Sequence, residues 1–273
     1  MTTYRYRGPL WAVIFDLAGT VVDYGSCAPA AAFVAVFRRF NVEITTANAR
    51  EPMGRAKRDH IEAILAMPAI AQRWQDAHGT LPGEAEIDRL YEQFLPMQLA
   101  CLEDYGQLIP GAIEAAADCR RRGLKIGSST GYNRQLTDVV LAAAREQGFE
   151  PDCTVSADDV DVGRPAPWLC LENARRLDAH PMMAIVKVDD TPVGVEAGRN
   201  AGMWSVGVTK SGNLVGLTED QVGQTAPDEL RQKIELAEQA HFAAGAHYVI
   251  DSVAELPGLL DELETRMASG EEP

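Results

Sequence analysis

The sequence predicts an α/β protein with a doubly wound, mostly parallel sheet and an inserted helical domain. Short apolar runs rich in β-branched residues alternate along the chain with helical stretches. Several of these runs end in acidic or hydroxyl residues, and one long segment carries helical patterns only. Runs of this length and apolarity are typical of parallel strands that are buried on both faces, with helices as the crossovers between them.

Six apolar runs are predicted to be strands. In chain order they are Trp11–Asp16, Leu124–Thr130, Cys153–Asp159, Ala184–Asp190, Trp204–Thr209 and His247–Asp251. The helical stretches between them are Gly111–Gly123, Arg134–Gly148 and Pro167–Asp178. The first of these helices ends in basic residues followed by glycine, which is a typical helix C-terminus.

The segment from about Ala30 to Tyr105 interrupts this alternation, because only helical patterns occur in it. We therefore predict an α/β core of residues 1–25 and 104–273 and a helical cap of residues 26–103. An insert just after the first strand would overhang the carboxyl edge of the sheet like a lid. The alternative is that its helices simply pack on the sheet.

Charge and composition exclude several classes of partner. The 273 residues include 25 Lys and Arg against 40 Asp and Glu, a net charge of −15, so we expect neither nucleic acid nor an anionic membrane surface as a partner. No apolar run approaches the ~18–20 residues that span a bilayer, and we expect no signal peptide. The five cysteines are odd in number and widely spaced without a C-x-x-C pair, which predicts a cytoplasmic location.

Polar residues at the strand ends indicate where the site lies, because ligands of open α/β sheets bind beyond the carboxyl ends of the strands. Asp16, residues 128–130, Asp189 and Asp190 should meet there. Asp16 stands before a turn at Gly19 whose backbone N–H groups could hold an anion. It is a candidate nucleophile toward phosphorus, a candidate metal ligand, or both; the alternative is a buried aspartate that caps a turn.

Three further motifs support this site. Asp189 and Asp190, aimed at the same cleft as Asp16, would form an oxygen-rich pocket suited to Mg²⁺. Thr130 in "GSSTG" is a candidate phosphate contact, and Arg164 in "GRPAPW" is a candidate fixed cation. Each motif has an alternative interpretation. Asp189 and Asp190 could be loop acids that face water, Thr130 could belong to an ordinary helix N-cap, and Arg164 could lie in a surface turn shaped by prolines.

Together the four motifs, in the order acid, hydroxyl, cation and acids, resemble the haloacid dehalogenase superfamily. The usual loop of that superfamily is Asp-x-Asp, whereas this chain has Ala18 at the second position. An ordinary phosphomonoesterase needs that second acid to protonate the departing alkoxide.

The segments "FDLAGTVVDYGSCAP", "EPMGRAKRDH", "GSSTGY", "GRPAPW" and "EAGRNAGMWSVGV" are similar to the phosphonatase branch of this superfamily, the phosphonoacetaldehyde hydrolases. The resemblance extends over nearly the whole chain and implies Mg²⁺-dependent hydrolysis of a small-molecule phosphonate to acetaldehyde and phosphate. Cleavage of a C–P bond expels a carbanion, which a lysine imine can accept as an enamine. Lys57 would supply the amine, and its pKa must then fall from about 10.4. The alternative for Lys57 is a solvated helix lysine.

The resemblance implies a role for each matching position. Asp16 would attack phosphorus and form an aspartyl phosphate, while Lys57 would form the imine. The implied Mg²⁺ ligands are Asp16, the carbonyl oxygen of Ala18, and Asp190. The residues implied to contact the substrate are Thr130, Arg164, His60, Met53, Tyr132, Gly19 and Ser26. The resemblance also implies a homodimer, which in the family is often formed through the cap helices; the apolar stretch "AAAFVAVF" is compatible with that interface but could equally belong to the cap core.

Two departures from the family pattern leave alternatives open. Ser26 stands where the family carries a cysteine, and Cys27 follows it directly. Gly194 stands where many relatives carry another acid, for which Asp189 or Glu196 could compensate. Two other functions also compete with C–P hydrolysis, namely a phosphomonoesterase or phosphomutase on the same scaffold and a non-catalytic phosphate-binding protein.

Overall fold

The computed structural model describes residues 6–273, which build one six-stranded parallel sheet flanked by helices. The strands are β1 (Ala12–Phe15), β2 (Lys125–Ser129), β3 (Cys153–Val155), β4 (Ile185–Asp189), β5 (Trp204–Val208) and β6 (Tyr248–Ile250). The helices are α1 (Cys27–Arg39), α2 (Thr46–Arg50), α3 (Lys57–Leu65), α4 (Pro68–His78), α5 (Glu84–Tyr105), α6 (Ala112–Arg121), α7 (Arg134–Glu146), α8 (Trp168–Arg176), α9 (Pro192–Asn200), α10 (Glu219–Gln224), α11 (Pro227–Ala243) and α12 (Leu256–Ser269). The predicted fold class is confirmed.

Each of the six predicted strands is present, but the third is shorter than predicted. The carboxylate of Asp159 accepts hydrogen bonds from the backbone N–H (2.7 Å) and the hydroxyl (3.0 Å) of Ser156. These bonds close a 3₁₀ turn over Ala157–Asp159 in place of further strand.

The strand order β3-β2-β1-β4-β5-β6 places a topological switch point between β1 and β4. The chain winds outward from β1 to β3 on one side, then returns to β4 and continues to β6 on the other. The crossovers therefore diverge at this point, and a crevice opens at the carboxyl ends of the two central strands. Phe15 is in register with Ser128 and Val188, so Asp16 lies beside the ends of both neighbouring strands.

The sheet is apolar on both faces, as the continuous apolar runs predict. Val13 and Phe15 of β1 belong to the larger hydrophobic cluster on one face, while Ala12 and Ile14 belong to the smaller cluster on the other. Both faces are covered, which leaves the carboxyl edge of the sheet as the place where polar side chains collect.

The cap helices α1–α5 surround a hydrophobic cluster of their own, separate from the two clusters on the sheet. Phe33 and Phe94 stack within it at 4.3 Å between ring centroids. Helix α5 connects the two parts, because Phe94 belongs to the cap cluster and Leu102 to the larger sheet cluster. The exact boundaries at residues 25/26 and 103/104 stay predictions. Across residues 6–273, the helices lack the combination of length and apolarity that crossing a bilayer requires.

Candidate active site

A small cavity lies where the cap meets the carboxyl edge of the sheet. About 20 Å³ of it is open to the centre of a water molecule, close to the room that one ordered water needs. The lining residues come from both parts of the chain and are Asp16, Ala18, Ser26, Pro29, Met53, Gly54, Lys57, Thr130, Gly131, Tyr132, Arg164, Asp190 and Thr191.

Asp16 and Arg164 form the centre of the site. The Nη2 group of Arg164 donates to Asp16 Oδ1 at 2.7 Å and to the carbonyl oxygen of Ser129 at 2.7 Å, and Nη1 lies 3.2 Å from Asp189 Oδ2. Both Asp16 and Arg164 are buried. Burial and the neighbouring Asp189 raise the pKa of Asp16, whereas Arg164 and Lys187 oppose that rise. The guanidinium therefore holds the carboxylate in one orientation and favours its ionised form.

Three carboxylates at the switch point fit a hard cation. Oxygen atoms of Asp16, Asp189 and Asp190 lie within 4.8 Å of one another. Asp190 Oδ2 accepts a hydrogen bond from the backbone N–H of Asn213 at 2.8 Å, whereas the buried Asp190 Oδ1 has no hydrogen-bond partner in the structure. Burial and the charge of Asp16 raise the pKa of Asp190 well above its usual range. A buried carboxylate oxygen without a donor is costly, and Mg²⁺ is the type of partner that such oxygens prefer.

The backbone N–H of Gly19 is not free to bind an anion, in contrast to the prediction. Its N–H donates to the carbonyl oxygen of Val22 at 2.7 Å. Its φ is +80°, and a Cβ atom there would lie 2.1 Å from Asp190 Oδ2. In this structure glycine therefore serves to admit Asp190, and Gly19 does not line the cavity.

Asp189 occupies the space beside Gly194, the position at which many relatives carry another acid. A Cβ atom on Gly194 would lie 2.0–2.1 Å from the carboxylate atoms of Asp189. The Asp189 carboxylate accepts from Lys187 Nζ at 2.7 Å and from the hydroxyl (2.7 Å) and N–H (3.0 Å) of Thr191. Burial disfavours its charge, but Arg164 and Lys187 outweigh burial and lower its pKa. Asp189 thus fills the space that a side chain at position 194 would enter.

Lys57 reaches the cavity from the cap. It is the first residue of α3, it is only 5% exposed, and its Nζ lies 4.8 Å from the ring centroid of Tyr132 and 5.6 Å from that of Phe33. Burial lowers its pKa to about 8 against the opposing charge of Asp16. The alternative of a solvated helix lysine is therefore wrong for this structure.

A continuous helix would place Met53, Lys57 and His60 on one face, but Met53 lies outside α3. The backbone at Gly54 is left-handed, with φ +94°, and α3 begins only at Lys57, so Met53 reaches the cavity from a turn. His60 does not line the cavity. Its ring stacks on Phe33 at 3.9 Å, its Nε2 lies 2.8 Å from the carbonyl oxygen of Ala49, and burial and Lys57 keep its pKa low.

The remaining predicted contacts lie at the cavity wall. Thr130 Oγ1 accepts from the N–H of Tyr132 at 3.1 Å, and both residues line the cavity. Ser26 also lines the cavity, and its backbone is left-handed with φ 49°. The Cys27 thiol instead contacts the carbonyl oxygen of Tyr24 at 3.6 Å. Of the two candidates, the structure therefore places Ser26 at the wall.

Several residues near the site were not predicted. Asp23 caps α1 by accepting from the N–H groups of Cys27 (2.9 Å) and Ala28 (3.0 Å), and burial raises its pKa to about 7. Nothing in the sequence marks it, because its position follows from a turn with φ +56°. Thr191 lines the cavity and could have been found, since it directly follows the two strand-end acids.

Comparisons with known proteins agree with this geometry. A family model for haloacid dehalogenase-like hydrolases matches residues 12–202. The chain is 46% identical over 262 residues to a phosphonoacetaldehyde hydrolase of Paraburkholderia phytofirmans, covering 96% of this chain and 98% of that one. It is 45% identical over 253 residues to the protein of that name from Bacillus cereus, covering 93% and 96%. A crystal structure of a phosphonoacetaldehyde hydrolase-like protein from Oleispira antarctica superposes with a TM-score of 0.98 at 42% identity, covering 100% and 99%.

Exchanging residues 189 and 194 should reveal strong coupling. Gly194→Asp alone forces a side chain into the Asp189 carboxylate. Asp189→Gly alone removes the carboxylate shared by Lys187 and Arg164, and breaking a buried pair typically costs about 3–5 kcal/mol. The double variant returns a carboxylate to the same space, so its free energy of unfolding should exceed the value that the two separate losses predict.

Urea unfolding of the four proteins measures this coupling. Gly223→Asp is the matched control, because a Cβ atom at Gly223 would meet open space. Strictly additive losses would show that positions 189 and 194 do not share one space.

Proposed function

The chain belongs to the haloacid dehalogenase-like hydrolase family, and we propose that it hydrolyses the C–P bond of phosphonoacetaldehyde to acetaldehyde and phosphate. One observation carries this proposal: a buried lysine amine from the cap and a buried carboxylate from the core line the same cavity, while position 18 carries only a methyl group. The relatives named phosphonoacetaldehyde hydrolase, matched over nearly the full chain, support it.

The reaction begins at Lys57. Its amine attacks the aldehyde carbon and water leaves, which gives a protonated imine. The low pKa of Lys57 keeps a useful fraction of the amine neutral near pH 7–8. The Tyr132 and Phe33 rings next to Nζ favour the cationic imine that follows.

Asp16 is the nucleophile toward phosphorus. Its carboxylate attacks while the C–P bond breaks, and the electron pair of that bond moves into the imine to form an enamine. Arg164 holds Asp16 Oδ1 and thereby leaves Oδ2 as the attacking oxygen. Thr130 at the same wall would hold a phosphoryl oxygen. Water hydrolyses the aspartyl phosphate and releases phosphate. The enamine carbon takes up a proton to give an imine again, and hydrolysis of that imine releases acetaldehyde and the Lys57 amine.

Asp16, Asp190 and the carbonyl oxygen of Ala18 would hold Mg²⁺, with Asp190 Oδ1 as the oxygen that lacks another partner. When bound, Mg²⁺ supplies positive charge that offsets the repulsion between the Asp16 carboxylate and the phosphonate. Asp189 remains engaged by Lys187, Thr191 and Arg164 and acts by orienting these groups.

The absence of an acid at position 18 distinguishes this function from a phosphomonoesterase. Of the described residues that line the cavity, the acidic ones are Asp16 and Asp190, and both already have roles. Neither is free to protonate an alkoxide. An enamine leaving group needs no such acid at the moment of P–C cleavage, because the imine accepts the electrons.

The cavity has room for about one ordered water, so we propose that the cap opens to admit the substrate and closes over it to exclude water. We also propose a homodimer and a cytoplasmic location, which the odd number and wide spacing of the five cysteines support.

Lys57 should be the site of covalent trapping. Borohydride added with phosphonoacetaldehyde should reduce the imine, and mass spectrometry should place the adduct on Lys57. Lys57→Arg should lose C–P cleavage to background while it keeps Mg²⁺ affinity, because it retains the charge but not the nucleophile. Lys233→Arg, on an exposed helix, is the control. An adduct on another lysine would end the imine mechanism proposed for Lys57.

The rate of imine formation should depend on pH through Lys57. The folded pKa is about 8, and only the neutral amine attacks, so the rate should rise about tenfold per pH unit below 8 and level off above it. Trapping with cyanoborohydride under single-turnover conditions between pH 6 and pH 9 measures the profile. A flat profile would mean that the amine is not the titrating nucleophile.

Asp16→Asn should separate the two halves of the reaction. The amide keeps the size of the side chain but removes the nucleophilic oxygen, so phosphate release should fall by about three orders of magnitude or more. Imine trapping on Lys57 should persist, because that step needs only the cap amine. Phosphate assays and the borohydride experiment on the same preparation test both statements. Retained phosphate release would remove Asp16 from its role.

A further inference from the structure

Arg50 connects the cap to the core through an unusually dense set of hydrogen bonds. It is the last residue of α2, and its Nη1 group donates to the carbonyl oxygen of Gly25 at 2.7 Å and to Asn213 Oδ1 at 3.0 Å. Its Nη2 group donates to the carbonyl oxygen of Gly216 at 3.1 Å. In return, Asn213 Nδ2 donates to the backbone carbonyl of Arg50 at 3.2 Å. One cap side chain thus bonds to both the hinge before α1 and a loop of the core.

That core loop, residues 211–216, is shaped around the guanidinium. Gly216 has φ +66°, and a Cβ atom there would lie 2.9 Å from Arg50 Cζ and Nε. Only glycine allows the loop backbone to approach the guanidinium this closely. The planar guanidinium has donors that point in several directions, which a lysine ammonium in its place could not match.

The opposite side of the same loop holds the proposed metal ligand. The backbone N–H of Asn213 donates to Asp190 Oδ2 at 2.8 Å, and a Cβ atom on Gly212 would lie 2.8 Å from Asp190 Cβ. The Ser211 hydroxyl donates to the carbonyl oxygen of Gly19 at 3.2 Å. The loop therefore stands between Arg50 and Asp190 and contacts both directly.

We propose that Arg50 is a positioning residue that couples closure of the cap to the orientation of Asp190. When the cap is closed, Arg50 fixes the loop, and the loop fixes Asp190 Oδ2 so that Oδ1 faces the cavity. When the cap opens, the guanidinium leaves with it and the loop loses those bonds. The metal site is thereby completed only over an enclosed substrate. The benefit of this coupling for catalysis rests on the proposed function, whereas the contacts of Arg50 are independent of it.

Three variants test separately the contacts that connect Arg50 to Asp190. Arg50→Ala removes the guanidinium, Arg50→Lys keeps its charge alone, and Asn213→Ala removes the side chain that Arg50 binds but leaves the backbone N–H that holds Asp190. Arg38→Ala is the control, because it removes a cap arginine that forms only an exposed pair with Glu43.

The readout is Mg²⁺ affinity by titration calorimetry in the presence of inorganic phosphate, which needs no phosphonoacetaldehyde. Loss of a group that orients a ligand typically costs 10–100-fold in metal affinity. We expect a loss of about that size in Arg50→Ala and Arg50→Lys, a smaller loss in Asn213→Ala, and none in Arg38→Ala. Added guanidinium ion should partly restore the affinity of Arg50→Ala.

The outcomes are distinguishable. Unchanged Mg²⁺ affinity in both folded Arg50 variants would overturn the coupling, whatever substrate the protein uses. If circular dichroism shows that Arg50→Ala does not fold, the Mg²⁺ affinities of Arg50→Lys and Asn213→Ala decide whether the coupling exists. Failure of the proposed function would instead appear as intact Mg²⁺ binding without C–P cleavage in the unmodified protein.

Discussion

The buried chain of alternating charges from Lys187 through Asp189 and Arg164 to Asp16 is the constraint on which the site depends. Each member has less than a tenth of its surface exposed and is paired with a neighbour of opposite charge. Loss of one member would leave an uncompensated charge in a poorly solvated place. This series of ion pairs forms because β1 and β4 are parallel neighbours at the switch point, which places Asp16 and Asp189 within reach of the two terminal nitrogens of Arg164.

Sequence patterns were sufficient to predict the fold and the location of the candidate site, because the carboxyl ends of parallel strands lie at one edge of the sheet. They were insufficient wherever a backbone turn decides which way a side chain faces. The left-handed turn at Gly54 precedes α3, so Met53 reaches the cavity from a turn, whereas His60 in α3 packs inside the cap. Arg50 acts through contacts with a distant segment, and no local spacing reports such contacts.

Gly194 and Asp189 show why a position-by-position resemblance leaves such questions open. A carboxylate can reach the same point in space from two places in the backbone, from the end of β4 or from the first turn of α9. In this chain the Asp189 carboxylate arrives from β4 and occupies the volume that a Cβ at Gly194 would need. The two residues therefore form one steric unit, because the Asp189 carboxylate leaves no room for a side chain at position 194.

The charges of Asp16 and Asp190 influence the protonation of the Lys57 amine. When Asp16, Asp189 and Asp190 are all ionised and Lys57 is neutral, Arg164 and Lys187 leave one negative charge in the site uncompensated. A phosphonate dianion would make the site more negative, and the overall charge of −15 adds repulsion at long range. The carboxylates of Asp16 and Asp190 also hold the pKa of Lys57 up against burial. A divalent cation on those two carboxylates would therefore do two things at once, since it would attract the phosphonate and withdraw the negative charge that keeps the amine protonated.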